Sequence, residues 1–232
     1  MVSTAPSPVV TATPPLPNAQ RVYLYNLSWD SYQQILEAMG DHRYARLTYD
    51  EGTLEIRMPL EGHENSGRLI ERLIIILIVE LGLKVKTMGS MTLDRPDLLK
   101  GTEPDNGYYI QNQPKVAGKI VNLQQDSAPD LVVEVDITHT DINKPALYAQ
   151  LGVSEFWRYN GRSLYIYQLQ DGKYQEVETS PTFPLIEKST LYDFLSQCQI
   201  DEVEAEIAFR DWVRAQIQQR KSNSMESIEN AN

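Results

Sequence analysis

The stretch Pro129-Asp130-Leu131-Val132-Val133-Glu134-Val135-Asp136 decides how this chain is read. Its apolar run fits a buried strand, and carboxylates are set into it. An ionised carboxylate loses several kcal/mol on burial unless a cation or hydrogen bonds compensate it. Glu134, set among valines, therefore asks for a cation. A metal ion is the most productive answer. A buried ion pair with an arginine or lysine is the structural alternative.

Downstream of this strand, expected over 131–137, Pro145 opens a helix that Gly152 closes. Strands follow at 155–159 and 163–169 around Asn160-Gly161, and at 174–177 after Asp171-Gly172. A short helix is predicted over 190–196, a charged helix over 201–221, and a frayed tail over 222–232. Upstream, Ser28 caps a helix over 29–39, and strands over 46–50 and 53–58 flank Glu51-Gly52. A loop over 59–63 leads to a long helix from Asn65 or Ser66 to about Gly82. Its apolar residues spread over more than one face, so it belongs in the centre. A strand over 84–93, a loop over 94–103 and a short strand over 108–111 follow. Residues 112–128 read as an ambiguous connection with a candidate strand over 119–123.

The chain has 232 residues and a formal net charge of −11, with Lys+Arg 21 against Asp+Glu 32. That acidity counts against tight, contact-rich DNA binding, though not against a local basic groove or a carboxylate-rich metal site. A single cysteine, Cys198, leaves no intrachain disulfide and no cysteine zinc site. No secretory signal is evident, the longest greasy run is too short to span a membrane, and a cytoplasmic setting is expected. Residues 1–19 are rich in Pro, Ala, Ser and Thr and read as a flexible, mobile or extended, N-terminal arm. A domain over 20–200 and a C-terminal helix and tail over 201–232 complete the expected organisation.

The central order helix, strand, strand, strand, helix, strand places carboxylates at Asp105 and Glu134, with Lys144 opening the following helix. Glu61 and Glu64 lie near the start of the long helix. If the Asp105 and Glu134 strands are neighbours, both side chains can converge on one divalent cation such as Mg²⁺. A metal-activated water could then attack a phosphodiester, with a lysine orienting it or stabilising developing charge.

With these residues in place, the chain resembles a known family. The PDLVVEV strand and the block Lys144-x-x-x-Tyr148-x-x-x-Gly152-Val153-x-Glu155-Phe156-Trp157 are similar to the Uma-two family of endonucleases. That family belongs to the PD-(D/E)XK nuclease superfamily. The resemblance spans roughly residues 28 to 190. It implies an α/β, restriction-endonuclease-like αβββαβ core with a central mixed sheet. An N-terminal helix and hairpin and a C-terminal helix would be added to it. It implies a Mg²⁺- or Mn²⁺-dependent endonuclease acting on DNA, with a homodimer as the expected assembly. Asp105, in Glu103-Pro104-Asp105, matches the acidic residue of the P-D element, and Glu134 matches the (D/E) position. The lysine usual two residues later is absent: Asp136 stands there. Lys144 is the substitute, and Glu64 is the added helix-borne acid. Glu64, Asp105 and Glu134 would hold the metal.

Each residue also has a structural reading. Asp105 could cap its own Pro-Asp-Asn-Gly turn, Lys144 could be a solvated helix start, and Glu64 could complement the helix dipole; Glu61 is the rival of Glu64 for the site. Asp130 reads as closing a turn. Asp136 shares side-chain parity with Glu134 and is a spare ligand. A His139, Asp136 and Asp141 cluster matches no strong metal motif. Tyr148 and Trp157 read as core or pocket wall. Val203, Ile207, Ala208, Trp212 and Val213 form an apolar stripe needing cover from the core or a second subunit. The rival function is a catalytically inactive nuclease-fold module that binds nucleic acid or a protein partner. A third reading is a structural oligomer.

Overall fold

The computed structural model describes residues 21–40, 44–58, 61–89, 91–136 and 140–229, with side chains described for all but 61–63 and 224–229. The expected arm over 1–19, His42, His139 and the side chains of Glu61 and His63 lie outside the described residues.

In chain order, strand β1 (Arg21–Leu24) leads to helix α1 (Trp29–Met39), the hairpin β2 (Arg46–Asp50) and β3 (Thr53–Arg57), and helix α2 (Glu61–Glu80). Short strands β4 (Lys86–Thr87), β5 (Leu93–Arg95), β6 (Lys100–Thr102) and β7 (Asn106–Tyr109) follow, then the one-turn helix α3 (Gln113–Val116). Strand β8 (Leu131–Val135), helix α4 (Lys144–Leu151) and strands β9 (Glu155–Tyr159), β10 (Leu164–Gln170) and β11 (Lys173–Val177) come next. Helices α5 (Lys188–Cys198) and α6 (Glu202–Glu229) end the described chain.

Among the described residues the strands form two sheets. A mixed sheet of six strands runs β11-β10-β9-β8-β7-β4, and an antiparallel sheet of five runs β1-β3-β2-β6-β5. Among the described strands only β8 and β9 pair in parallel, because α4 carries the chain back across the sheet between them. This is the expected α/β architecture around a central mixed sheet. The hairpin, however, is not a mere addition. It recruits β1, β5 and β6 into a second sheet.

Local chemistry explains the elements. Ser28 caps α1 by accepting from Ser31 N at 3.1 Å. Pro145 occupies the first turn of α4, Asn143 accepts from Ala146 N, and Gly152 closes the helix at φ 81°. Helix α2 is central as its pattern predicts: Ile70, Leu73, Ile74 and Leu77 are fully buried. Helix α6 turns Ala205, Phe209 and Val213 inward at i, i+4 and i+8. Its cover therefore comes from α2 and α5, and the expected stripe is rotated, since Val203 and Ile207 face solvent.

Four expectations are corrected. The strand expected over 84–93 is two: β4 joins the mixed sheet and β5 the antiparallel sheet. The loop expected over 94–103 contains β6, paired to β2. No strand forms over 119–123; there Asp126 Oδ2 accepts from Asn122 N and Asn122 Oδ1 from Gln124 N, so side chains replace ladder partners. Helix α6 continues past 221 to Glu229. Among the described residues no helix is long and apolar enough to cross a membrane.

Candidate active site between the two sheets

Strand β8 alternates. Leu131, Val133 and Val135 join the core around α2, while Val132 turns to the opposite face and packs in the cluster containing α4. Glu134 shares the parity of Val132 and so emerges toward α4. There Lys144 and Tyr148, four residues apart on one helix face, both reach it. Lys144 Nζ donates to Glu134 Oε1 at 2.7 Å, and Tyr148 OH donates to the same oxygen at 2.5 Å. Lys144 Nζ also donates to Thr48 Oγ1 at 3.2 Å.

Thr48 belongs to the other sheet. Arg46 and Thr48 on β2 share a face with Glu55 and Arg57 on β3, through the pairs Arg46↔Arg57 and Thr48↔Glu55. Thr102 on β6 lies opposite Thr48. This polar face meets the Glu134 face of the mixed sheet, and the site is the layer between them.

Asp105 precedes β7. The β7–β8 register pairs Asn106 with Val133, so its extension by one residue sets Asp105 opposite Glu134. Asp105 Oδ2 accepts from Val135 N at 2.7 Å, and Oδ1 accepts from Arg57 at 2.8 Å. The same Arg57 nitrogen stands 3.8 Å from Glu134 Oε2, and its other terminal nitrogen donates to Val135 O at 3.2 Å. Arg57 is 3 % exposed and Glu134 2 %. Glu134 thus lies in the buried ion pair that was its structural alternative. The Asp105 carboxylate reaches β8 and Arg57.

Burial holds the Glu134 carboxyl above the ordinary carboxylate range, with Lys144 and Arg57 pulling it down and Asp105 pushing it up. Burial opposes the charge on Arg57, yet Asp105 and Glu134 outweigh it and raise its pKa. Burial, then Glu134, raises the Tyr148 phenol well above its usual value, so it remains a donor.

A cavity of about 210 Å³ opens beside this centre, lined by Arg46, Glu64, Arg68, Glu71, Asp105 and Asn106 among others. Glu64 and Asp105 therefore share this lining, while Glu134 is not among its described lining residues. Arg46 Nε is buried there without a hydrogen-bond partner among the described residues. Asp136 is drawn into a separate network: its oxygens accept from Arg21 at 2.5 Å and Arg158 at 3.1 Å. Arg21 also pairs with Glu55, which accepts from Tyr23 and Thr140. Asp130 accepts from Ile110 N and Asn112 N and so closes a turn.

This donor set does not fit a divalent metal as it stands. Both Asp105 oxygens and Glu134 Oε1 already serve protein donors. Among the described residues no group of three or more His, Cys, Asp or Glu is placed to hold a metal ion.

Sequence reasoning missed Arg57, Arg46, Arg68 and the donor role of Tyr148. Arg57 had a signal, its shared parity with Glu55, but charges on one face of a hairpin also read as a solvated face.

Comparison with curated proteins returned no match. Among solved structures, a protein described as a "putative nuclease belonging to DUF820" from Anabaena variabilis aligns with a TM-score of 0.47 and 17% identity. The alignment covers 72% of this chain and 98% of that one. The model of the Uma2 family, described as "Putative restriction endonuclease", matches residues 29–201. That span takes in both sheets from β2 onward, the Asp105, Glu134 and Lys144 centre and the α4–β9 block, and the chain belongs to the Uma2 family of the PD-(D/E)XK nuclease superfamily.

Proposed function

We propose that this chain is a nuclease-fold module that binds DNA at the cavity beside Asp105, with its inherited carboxylate centre internally neutralised. The observation that carries this reading is the pairing of Arg57 with Asp105 and of Lys144 with Glu134 in a buried layer. The cavity offers Arg46 and Arg68 to phosphate oxygens, and arginine is suited to such oxygens by its planar fork of donors. Glu64 and Glu71 in the same lining, and the overall acidity, make the binding modest and dependent on the placement of these arginines.

Fluorescence anisotropy with labelled duplex and branched DNA tests it. Saturable binding that weakens in an Arg46→Ala/Arg68→Ala double variant supports the reading. Binding unchanged in that variant, or none at low salt, refutes it.

A second reading is favoured by one observation, the shared cavity of Glu64 and Asp105. It is the metal-dependent DNA endonuclease that the resemblance implies. Glu64, Asp105 and Glu134 would be assigned to Mg²⁺ or Mn²⁺, and Lys144 to the attacking water. That assignment requires Arg57 to vacate the centre. Nicking of supercoiled or branched DNA that needs divalent metal, stops with chelator and is lost in Glu134→Gln would establish it. Equal cleavage by wild type and variant would point to a contaminating nuclease.

A further inference from the structure

We infer that the Arg57 guanidinium is the resident cation of this centre, held by the chain itself at the point where Asp105 and Glu134 would otherwise share a divalent ion. The inference rests on reading those two carboxylates as the cation-facing pair of the fold.

Position is the first argument. Arg57 ends β3, on the second sheet, and crosses the interlayer to Asp105 Oδ1 at 2.8 Å, Val135 O at 3.2 Å and Glu134 Oε2 at 3.8 Å. It therefore contacts both strands that bear the carboxylates. A compact ammonium could neutralise one of them; the planar guanidinium serves two acceptors and keeps a third contact to a backbone carbonyl.

Charge is the second argument. Among the described residues, the two cations Arg57 and Lys144 are paired with the two carboxylates Asp105 and Glu134, and these four groups are formally neutral together. A divalent ion added to it would leave uncompensated positive charge in a layer shielded from water, which is strongly disfavoured. Arginine does not relieve this by deprotonating. Glu55 is already paired with Arg21 and is not a spare anion for an incoming metal.

Donor saturation is the third. Mg²⁺ takes oxygens at about 2.0–2.1 Å in near-octahedral geometry. Glu134 Oε1 already accepts two donors, and an ion at Asp105 Oδ1 would have to take the place of the Arg57 guanidinium. Arg57 is also present at a high effective concentration because it is tethered, and an ion from solution must compete with that.

Titration of the full chain with Mn²⁺, followed by the electron paramagnetic resonance of free Mn²⁺, tests the inference. Wild type is expected to show no saturable site at micromolar metal. Arg57→Gln is expected to gain one site, at least about tenfold tighter than any wild-type binding, and to lose it again when Asp105→Asn is added. Arg57→Lys, which restores one cation without the guanidinium fork, is expected to bind Mn²⁺ more weakly than Arg57→Gln. A saturable wild-type site that disappears in Asp105→Asn overturns the inference, and this measurement stands even if Arg57→Gln fails to fold. A folded Arg57→Gln with no gain in Mn²⁺ affinity also overturns it. Nucleic acid takes no part in the titration, so its failure is distinct from a failure of DNA binding.

Discussion

Lys144 Nζ lies 2.7 Å from Glu134 Oε1, and the two side chains are 4 % and 2 % exposed. A central strand and the first turn of the helix that follows it are thereby tied together in the buried layer. Truncating one member of such a pair leaves the other charge without its partner. Lys144→Met should therefore destabilise the protein by about 3–5 kcal/mol. Adding Glu134→Gln should recover part of that loss, because the uncompensated carboxylate is gone. Urea unfolding of wild type, both single variants and the double variant closes the cycle. Additive losses would deny the coupling.

Tyr148 offers a gentler perturbation of the same carboxylate. Its ring packs against Phe156 with centroids 4.9 Å apart, and its hydroxyl donates to Glu134 Oε1. Tyr148→Phe keeps the ring and removes the donor, so a loss of about 1–3 kcal/mol is expected with the fold intact. Chemical denaturation measures the loss, and near-ultraviolet circular dichroism checks the packing. A loss well below this range would mean that Lys144 and Arg57 satisfy Glu134 unaided.

Much of the framework was legible because the relevant signals are local. Ser28 and Gly40 bound α1, Glu51-Gly52 makes the β2–β3 turn, and Pro145 and Gly152 bound α4. Lys144 was singled out at the start of its helix and through the resemblance, whereas the donor role of Tyr148 toward Glu134 emerges only when β8 and α4 are packed together. What was not legible depends on long-range pairing. Strands β4, β5 and β6 have two or three residues each, too few to show a period. Strand β1 is recognisable only by its pairing with β3. Arg57 acquires its meaning from a sheet-to-sheet contact 48 residues away at Asp105. The same holds for Asp136, whose partner Arg21 is 115 residues distant.

The Glu55 network predicts a pH dependence with a definite sign. Burial tends to raise the Glu55 carboxyl, but Lys144, Thr140, Arg21 and Tyr23 outweigh it and hold it below the ordinary 4.5. A depressed folded pKa means that the unfolded chain binds the proton more readily. The contribution is therefore complete above about pH 4.5 and is lost as pH falls through the lower folded value. Wild type should exceed Glu55→Gln in stability at neutral pH, and the gap should narrow below that point. Glu134, raised by burial, works in the opposite sense, so its variant is not a substitute control. Unfolding free energies across an acid series check this, and a gap that widens on acidification would refute it.

Gly101 in β6 is required by close packing. A Cβ built there would lie 2.6 Å from Tyr32 OH and against the Asp94 carboxylate. Tyr32 OH donates to Asp94 Oδ1 at 3.0 Å, linking α1 to β5 across the antiparallel sheet. Gly101→Ala must open that hydrogen bond or displace the strand, and overpacking of this kind is worth about 1–3 kcal/mol. A lowered melting temperature is the expected result. Tyr32→Phe, which removes the hydroxyl, should make the added methyl less damaging.

Arg46 ties the fold to the proposed DNA contact. It shares its sheet face with Thr48 and Arg57, lines the cavity with Asp105, and keeps Nε buried without a hydrogen-bond partner among the described residues. The Arg46 side chain as a whole is only half-buried, and a phosphate oxygen entering the cavity it lines is the acceptor the proposal supplies. Each phosphate neutralised by a basic side chain releases condensed counterions, so affinity falls as salt rises. If Arg46 makes one such contact, Arg46→Ala should weaken DNA binding across sequences. It should also reduce the slope of log affinity against log salt by about 1. Anisotropy titrations at several salt concentrations separate the two effects. A slope that stays unchanged while affinity drops would assign Arg46 to the support of Asp105 and Arg57 and leave Arg68 as the phosphate contact.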